Sequence, residues 1–571
     1  MKHGGNWGSK EAAKHEALRQ PAGSPIKSGQ GLANYKVILY NRVQPPHLLY
    51  AAERAAAERH RTIMTENSTS GRRSASHILS GLGSTASGII GSLRARFPER
   101  KPACRASAEH VPFAIRHANI IRTRKGIDGL GMKEGSVDND MTVVISEDGT
   151  IEAVFPSSDT ARMKKIPAGY RSIDAQGRYI MPGLINAHVH VFGSGRRLSS
   201  NMGDKSPQKT LKHFTATVLG RAMIRRLTRY NIRQQLLSGV TTVRTLGDIA
   251  YDSADLRDDI QDGTVTGPRI LASGPLLSAP GGHGAPLIAL ECPDEESALA
   301  NVHMLLDNRA NAVKIAATGG VIDSQEADEA GRPQMSESLM RIICTEAHKA
   351  GVIVAAHAQS LEGVKAALRA GVDTIEHGSD LDKEAVALFR HNPGSLKGYS
   401  ALIPTLSTIL AMVSLDQDKI GINDTARANA ERIAEHMLAG YREAVAKNLH
   451  IGVGTDAAMP YVTQYNTWRE LDFLVRYTGM TPAQAIYAAT AGNAEILNIS
   501  DVTGSLDEGL SADLLVTEGN PLENLRTLNN PSLVVTHGIP VWRPHARHIA
   551  ELTRSLIPFK LHVQLHEMLL R

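Results

Sequence analysis

Residues able to bind a cation or carry a proton recur at the ends of short apolar runs in this chain. The segment PGLINAHVH closes on His188 and His190. Side chains two residues apart on a strand share one face, so both imidazoles can reach a single metal ion. In a chain of 23 histidines such a pair, taken alone, is weak evidence and reads as chance. Further polar residues hold the same late position: Lys314 in AVKIAA, His357 in VIVAAHA, His377 in TIEHG and Asp456 in IGVGTDA. Together they form a set of metal-binding groups that chance does not readily supply. Lys314 is flanked by apolar residues, where an ammonium is costly to bury unless neutralised or paired, and where neighbouring cations would repel it. Reaction with carbon dioxide answers both objections, because a carbamate is anionic and offers one oxygen to each of two metals. The other reading pairs Lys314 with Glu376 or Asp373 in a salt bridge.

Such a set needs a scaffold that delivers run ends to one rim. From Ile180 onward, eight β-rich runs alternate with helical stretches such as SESLMRIICTEAHKAG and LEGVKAALRAG, whose apolar residues recur at three and four and which stop at glycine. The pattern predicts an α/β fold with a (β/α)8 TIM-like barrel over residues 181–500, its chemistry at the carboxyl ends of the strands. A doubly wound open sheet is the alternative. Thr481 and Pro482 read as the N-cap and first residue of a helix after the eighth run. Strand-like segments at 111–180 and 501–545 are expected to pair as a small discontinuous β-sandwich domain, and 546–571 reads as a helical tail with a packing role.

Composition narrows the function classes. Of 571 residues, 42% are hydrophobic and 21% charged, the balance of an ordinary soluble globular chain. Aromatics are only 4%, against a protein built on stacking platforms for single-stranded nucleic acid. The net charge of +5 is uneven: residues 1–110 hold 17 Lys/Arg against 7 Asp/Glu. That segment reads as a basic, disordered extension, with Met64 a candidate start and Ile78–Leu93 a linker or surface helix rather than a membrane anchor. Cys104, Cys292 and Cys344 have no metal-type spacing and cannot form an even disulfide set, which fits a reducing compartment. With no apolar run of membrane length and no secretory signal, the expectation is a cytoplasmic homo-oligomer without membrane or nucleic-acid partners.

The runs GVTTVRTLGD, VKIAATGG, AAHA, GVDTIEHG and GTDA, with the closing GSLDEGLSADLLV and NPL, complete a pattern with PGLINAHVH. On these, residues from about 112 to 545 resemble the amidohydrolase superfamily, in the branch of imidazolonepropionase-like proteins, Xaa-Pro and Xaa-Arg dipeptidases and ochratoxinase. The resemblance implies a binuclear metal-dependent hydrolase that cleaves a C–N bond in a small-molecule amide such as a dipeptide or N-acyl amino acid. Two divalent ions, zinc expected, would be held by His188 and His190 on one side and His357 and His377 on the other. Lys314, carboxylated by carbon dioxide or bicarbonate, would bridge them, and Asp456 would bind the first metal and handle the proton as general base and then acid. His283, in SAPGGHGAP, matches a substrate-contacting position; it would hold a carboxylate or stabilise an oxyanion, unless its glycine neighbours merely make a turn. Arg244 and Asp248 are expected as a buried ion pair under the rim. Tyr461 and Tyr465 stand as substrate-binding candidates in a loop where relatives place a histidine. The alternatives are a mononuclear deaminase or cyclic-amide hydrolase, and a scaffold that has lost the chemistry; six filled ligand positions speak against the scaffold.

Overall fold

The computed structural model describes residues 110–123, 130–131, 134–197 and 205–552. The expectations for the basic extension and Met64, and for the tail beyond residue 552, lie outside the described residues. Strands β1 (Phe113–Arg122), β2 (Ser136–Ile145), β3 (Ile151–Pro156), β4 (Arg171–Asp174) and β5 (Tyr179–Pro182) precede the barrel-like region. Alternation in MTVVI and IEAVF, with Gly149 at positive φ between them, makes β2 and β3 an antiparallel hairpin.

Next come β6 (Leu184–Val189), β7 (Val240–Thr245), β8 (Arg269–Leu271), β9 (Leu276–Ser278), β10 (Ala289–Glu291), β11 (Ala312–Ala316), β12 (Ile353–Ala358), β13 (Thr374–His377) and β14 (Ala401–Ile403). β15 (Leu514–Thr517), β16 (Leu533–Thr536) and β17 (Ile539–Trp542) end the chain's strands. β15 pairs antiparallel with β5, Leu514 opposite Pro182 and Thr517 opposite Tyr179. The two flanking segments therefore join in one eight-stranded sheet, ordered β17-β16-β15-β5-β1-β2-β3 with β4 beside β1. A β-sandwich was expected; among the described residues this is one sheet. Its core is Phe113, Ile115, Ile145, Ile180, Leu514 and Val535. The first predicted run divides at Gly183, so YIMP serves this sheet and LINAHV the next.

From β6 to β14 every strand pairing is parallel, in the sheets β6-β7-β8 and β10-β9-β11-β12-β13-β14. Apart from β8, β9 and β10, which follow one another directly, these strands are separated by helices in the TIM-barrel-like manner. Helix Glu337–Lys349 is capped by Ser336, and helix Leu361–Ala370 starts on Ser360 and stops at left-handed Gly371. The expected eighth run is not a regular strand: residues 451–457 make only the isolated bridges Leu402↔Ile451 and Val189↔Ala457. They still hydrogen bond on both sides. Gly452 N donates to Leu402 O at 2.9 Å, Ala187 N to Val453 O at 2.9 Å and Asp456 N to His188 O at 2.9 Å. Gly454 allows this approach, since a Cβ there would lie 2.5 Å from His188 Cβ. Thr481 caps helix Pro482–Tyr487 in a capping box, and the chain then widens to a π-turn at Ala488–Gly492. Asn493, just beyond, ties β6 to the eighth run by donating to Ile185 O and Val453 O at 2.7 and 2.9 Å. Among the described residues no helix is long and apolar enough to cross a membrane.

Candidate metal centre

His188 lies late in β6 and His190 just beyond it, Lys314 lies in β11, His357 is next to last in β12, His377 closes β13 and Asp456 lies late in the eighth run. All six are buried and line one cavity of about 160 Å3. Ligand atoms of His188, His190 and Asp456 lie within 4.8 Å of one another. The His377 ring centroid stands 5.0 Å from that of His188 and 4.6 Å from that of His357. Asp456 and His377 both adopt left-handed backbone, φ 58° and 66°. That conformation is uncommon for residues with a Cβ and is concentrated at functional sites.

Hydrogen bonding fixes which ring nitrogens are left to bind. His188 Nδ1 lies 2.8 Å from Glu376 Oε2, an oxygen that can only accept, so Nδ1 carries the proton. Burial, with Lys314 beside it, holds His188 well below the ordinary imidazole range, so Nε2 is a lone pair. That lone pair faces Asp456 Oδ1 at 3.5 Å. Two acceptors confront each other across a gap that a cation would fill. His190 Nδ1 lies 3.2 Å from Gly247 O, and its Nε2 lies 3.1 Å from the same Asp456 oxygen. Burial works to raise the Asp456 carboxyl, but the His190 hydrogen bond and the charges of His188, His190 and Lys314 outweigh it and bring it to about 2.

The second half of the cluster shows the same unfilled capacity. His357 Nε2 donates to Gly319 O at 3.3 Å, and its Nδ1 is buried without a hydrogen-bond partner. His377 Nδ1 pairs with Thr405 Oγ1 at 2.8 Å. Burial first, then neighbouring imidazoles and Lys314, keeps both rings well below the usual imidazole range, which is the neutral form that ligates metals. Lys314 Nζ is buried and has no hydrogen-bond partner. Burial pulls its pKa from 10.5 down to about 8. Imidazole nitrogens and one carboxylate converging on one buried cavity fit a divalent metal ion.

These residues lie within a match to the amidohydrolase family model spanning residues 179–541. The chain belongs to the amidohydrolase family. An amidohydrolase of this kind hydrolyses C–N bonds. A solved structure of a putative prolidase from Bifidobacterium longum is 48% identical, covers 78% of this chain and 98% of its own, and superposes with a TM-score of 0.68. A Xaa-Pro dipeptidase with methionine bound in its active site is 27% identical over 76% of this chain and all of its own, at a TM-score of 0.62. Ochratoxinase from Aspergillus niger is 29% identical over 476 residues, 78% of this chain and 88% of its own.

Several sequence candidates fall elsewhere in this amidohydrolase. Arg244 is in a buried ion pair, but with Glu376 Oε1 at 2.8 Å and not with Asp248, which accepts from Thr245 Oγ1 at 2.7 Å. Lys314 has neither proposed carboxylate partner. Glu376 is engaged by Arg244, His188 and Thr374, and Asp373 by His348 and the amides of Val354 and Leu396. Tyr461 and Tyr465 do not line the cavity. Tyr461 borders a smaller one with Phe473, and the Tyr465 hydroxyl accepts from Ile549 N at 2.8 Å. The tyrosines are spent on packing the chain's last described segment and the loop after Asp456.

His283 does reach the cavity, stacked on His357 with centroids 4.1 Å apart. Its Nδ1 donates to Asp323, 3.0 Å from each carboxylate oxygen, which leaves Nε2 as its second ring nitrogen. Gly320 makes room, since a Cβ there would lie 2.3 Å from His283 Nδ1. Sequence reasoning missed Asp323 as the group that orients His283, and it named Glu376 only as a lysine partner. Glu376 instead fixes the His188 tautomer.

Proposed function

We propose that the chain is a binuclear metal-dependent amidohydrolase acting on a small-molecule amide, an N-acyl amino acid or a dipeptide. The observation that carries this reading is the pair of buried groups without partners, Lys314 Nζ and His357 Nδ1, in the cavity that also holds His188, His190 and Asp456. His188, His190 and Asp456 would hold one ion and His357 and His377 the other. An amine whose pKa is lowered to about 8 is partly neutral near physiological pH, the form that adds carbon dioxide, and the resulting Lys314 carbamate would supply an oxygen to each side. Bound metal of the zinc type supplies Lewis acidity and a water that ionises near neutral pH.

The chain's own side chains do the rest. Asp456 takes a proton from the attacking water at its carboxylate and returns it to the leaving nitrogen. Glu376 keeps His188 in the Nδ1–H tautomer. His283, aimed by Asp323, offers Nε2 to a substrate oxygen. Leu246, Leu276 and Ile409 line the cavity with apolar surface. In this reading the eight runs from β6 to 451–457 act as one (β/α)8 barrel with chemistry at its carboxyl rim, and residues 111–182 with 501–545 form the companion β-domain.

A mononuclear deaminase or cyclic-amide hydrolase is favoured by one observation, the closer clustering of His188, His190 and Asp456 alone. Metal analysis separates the two. Two equivalents of zinc per chain, with Lys314→Ala losing activity and one equivalent, supports the binuclear reading; one equivalent and an indifferent Lys314 refutes it.

A further inference from the structure

Above the metal-binding floor the cavity walls are apolar on several sides at once. Leu246 follows β7, Leu276 lies in β9, Ile322 follows β11, Ile409 and Met412 come from helix Leu406–Ser414, and Met437 from helix Asp424–Ala446. Apart from the six proposed metal-binding residues, the ionisable side chains that line this cavity among the described residues are His283 and Asp323. Asp323 is committed. Its oxygens face His283 Nδ1, Oδ2 also accepts from Gly284 N at 2.9 Å, and the charge of Lys205 acts on it as well. Among the described residues outside the metal-binding set, an incoming ammonium therefore meets no unshared anion, and the neutral Gln359 Oε1 is the unpartnered acceptor that lines the cavity.

A dipeptide cannot avoid that encounter, because its α-ammonium is attached one carbon from the scissile carbonyl and must enter with it. Taking an unpaired ammonium from water into walls of Leu, Ile and Met is strongly unfavourable, whereas each methylene placed there is favourable. The thioether chains of Met412 and Met437 adapt to either a ring or a straight chain. We propose that the acyl side of the substrate is uncharged and apolar: the site takes an alkanoyl or aryl-alkanoyl amide of an amino compound in preference to a dipeptide with a free α-ammonium. This rests on the amide-hydrolase reading for the chemistry, but the preference itself is a property of the walls.

A matched pair tests it. 3-Phenylpropionyl-L-leucine and L-phenylalanyl-L-leucine differ only in that hydrogen replaces the ammonium. Binding to the zinc-loaded full chain is measured by calorimetry, and leucine release is followed separately. At pH 6.5 the desamino compound is expected to bind roughly 100-fold more tightly. The gap should narrow as pH rises past about 8 and the ammonium loses its proton, a change that a preference of shape alone would not produce. Ile322→Glu, at a half-buried position, gives the ammonium a partner and should shrink the preference at least roughly tenfold, with a thermal melt confirming that the variant is folded. Equal or tighter binding of the dipeptide at pH 6.5, binding of neither compound, or an Ile322→Glu variant with unchanged preference overturns the inference. Selective binding of the desamino compound without leucine release upholds the inference and removes the hydrolase reading. Efficient leucine release from the dipeptide alone does the reverse.

Discussion

Replacing Glu376 by glutamine probes the part of the centre that the structure places deepest. Glu376 and Arg244 are both fully buried, and the carboxylate serves Arg244 Nη2 at 2.8 Å through one oxygen and His188 Nδ1 at 2.8 Å through the other. A glutamine amide retains one acceptor oxygen and turns an NH2 towards a donor. Removing one partner of a buried ion pair costs about 3–5 kcal/mol, because the other charge stays buried and uncompensated. That is a large part of an ordinary domain's stability of roughly 5–15 kcal/mol. Loss of the carboxylate behind a ligating histidine should separately weaken metal binding about 10–100-fold. The two effects part in the double variant Glu376→Gln/Arg244→Met. Stability should largely return, since the stranded guanidinium is gone, while metal affinity stays low, since His188 still lacks its anchor. Urea unfolding of metal-free protein reads the first quantity and competition with a zinc chelator the second. A loss below about 1 kcal/mol in the single variant, or wild-type metal affinity in the double, would refute the reasoning.

Lys314 gives a pH signature in metal-free protein kept in carbonate-free buffer. Burial lowers its pKa to about 8 in the folded chain from the ordinary lysine value of 10.5. Below pH 8 both states hold the ammonium and the native state bears the whole cost of burying it. Between pH 8 and 10.5 only the unfolded chain keeps the proton, so stability should climb with pH across that window, by on the order of 3 kcal/mol. Lys314→Met should be flat there; a flat wild-type profile would sink the idea. Asp323→Asn removes the charged acceptor behind His283 and should lower kcat/KM about 10–100-fold with metal content unchanged. Loss of metal in that variant would show that the His283–Asp323 pair is part of the metal centre rather than a separate device.

Much of the site was legible because strand geometry is a two-residue period and the chemistry of alternating α/β folds collects at strand ends. His188, His190, His357, His377 and Asp456 are all late in their runs, and the structure gathers them in one cavity. Glu376 was harder to place for a specific reason. It and His377 are adjacent, and adjacent side chains on a regular strand point to opposite faces. His377 escapes that rule through its left-handed backbone, φ 66°. Thr374 and Glu376 can then face inward to Arg244 while His377 still reaches the rim. Nothing in the composition of TIEHG announces that turn. Asp323 was hidden differently, since a loop residue after β11 meets His283 only through a tertiary approach that Gly320 permits by lacking a Cβ.

The same distinction explains the tyrosines and the eighth run. Tyr461 and Tyr465 have the chemistry of substrate contacts, but the loop after Asp456 turns at three left-handed residues, Asp456, Ala458 and Tyr461, and spends both rings on internal packing. IGVGTDA reads as a strand by its residues, yet Gly452 and Gly454 let it press so closely against Asn493 and His188 that it bonds to both neighbours without regular ladders. Local sequence thus announces which residues are candidates to bind a metal. Which anions stand behind them is decided by contacts between distant segments: Arg244 with Glu376 is 132 residues apart and His283 with Asp323 is 40. It follows that chain-specific tuning of this centre is to be sought in Glu376 and Asp323, the two carboxylates that touch histidines from behind, before the ligands themselves.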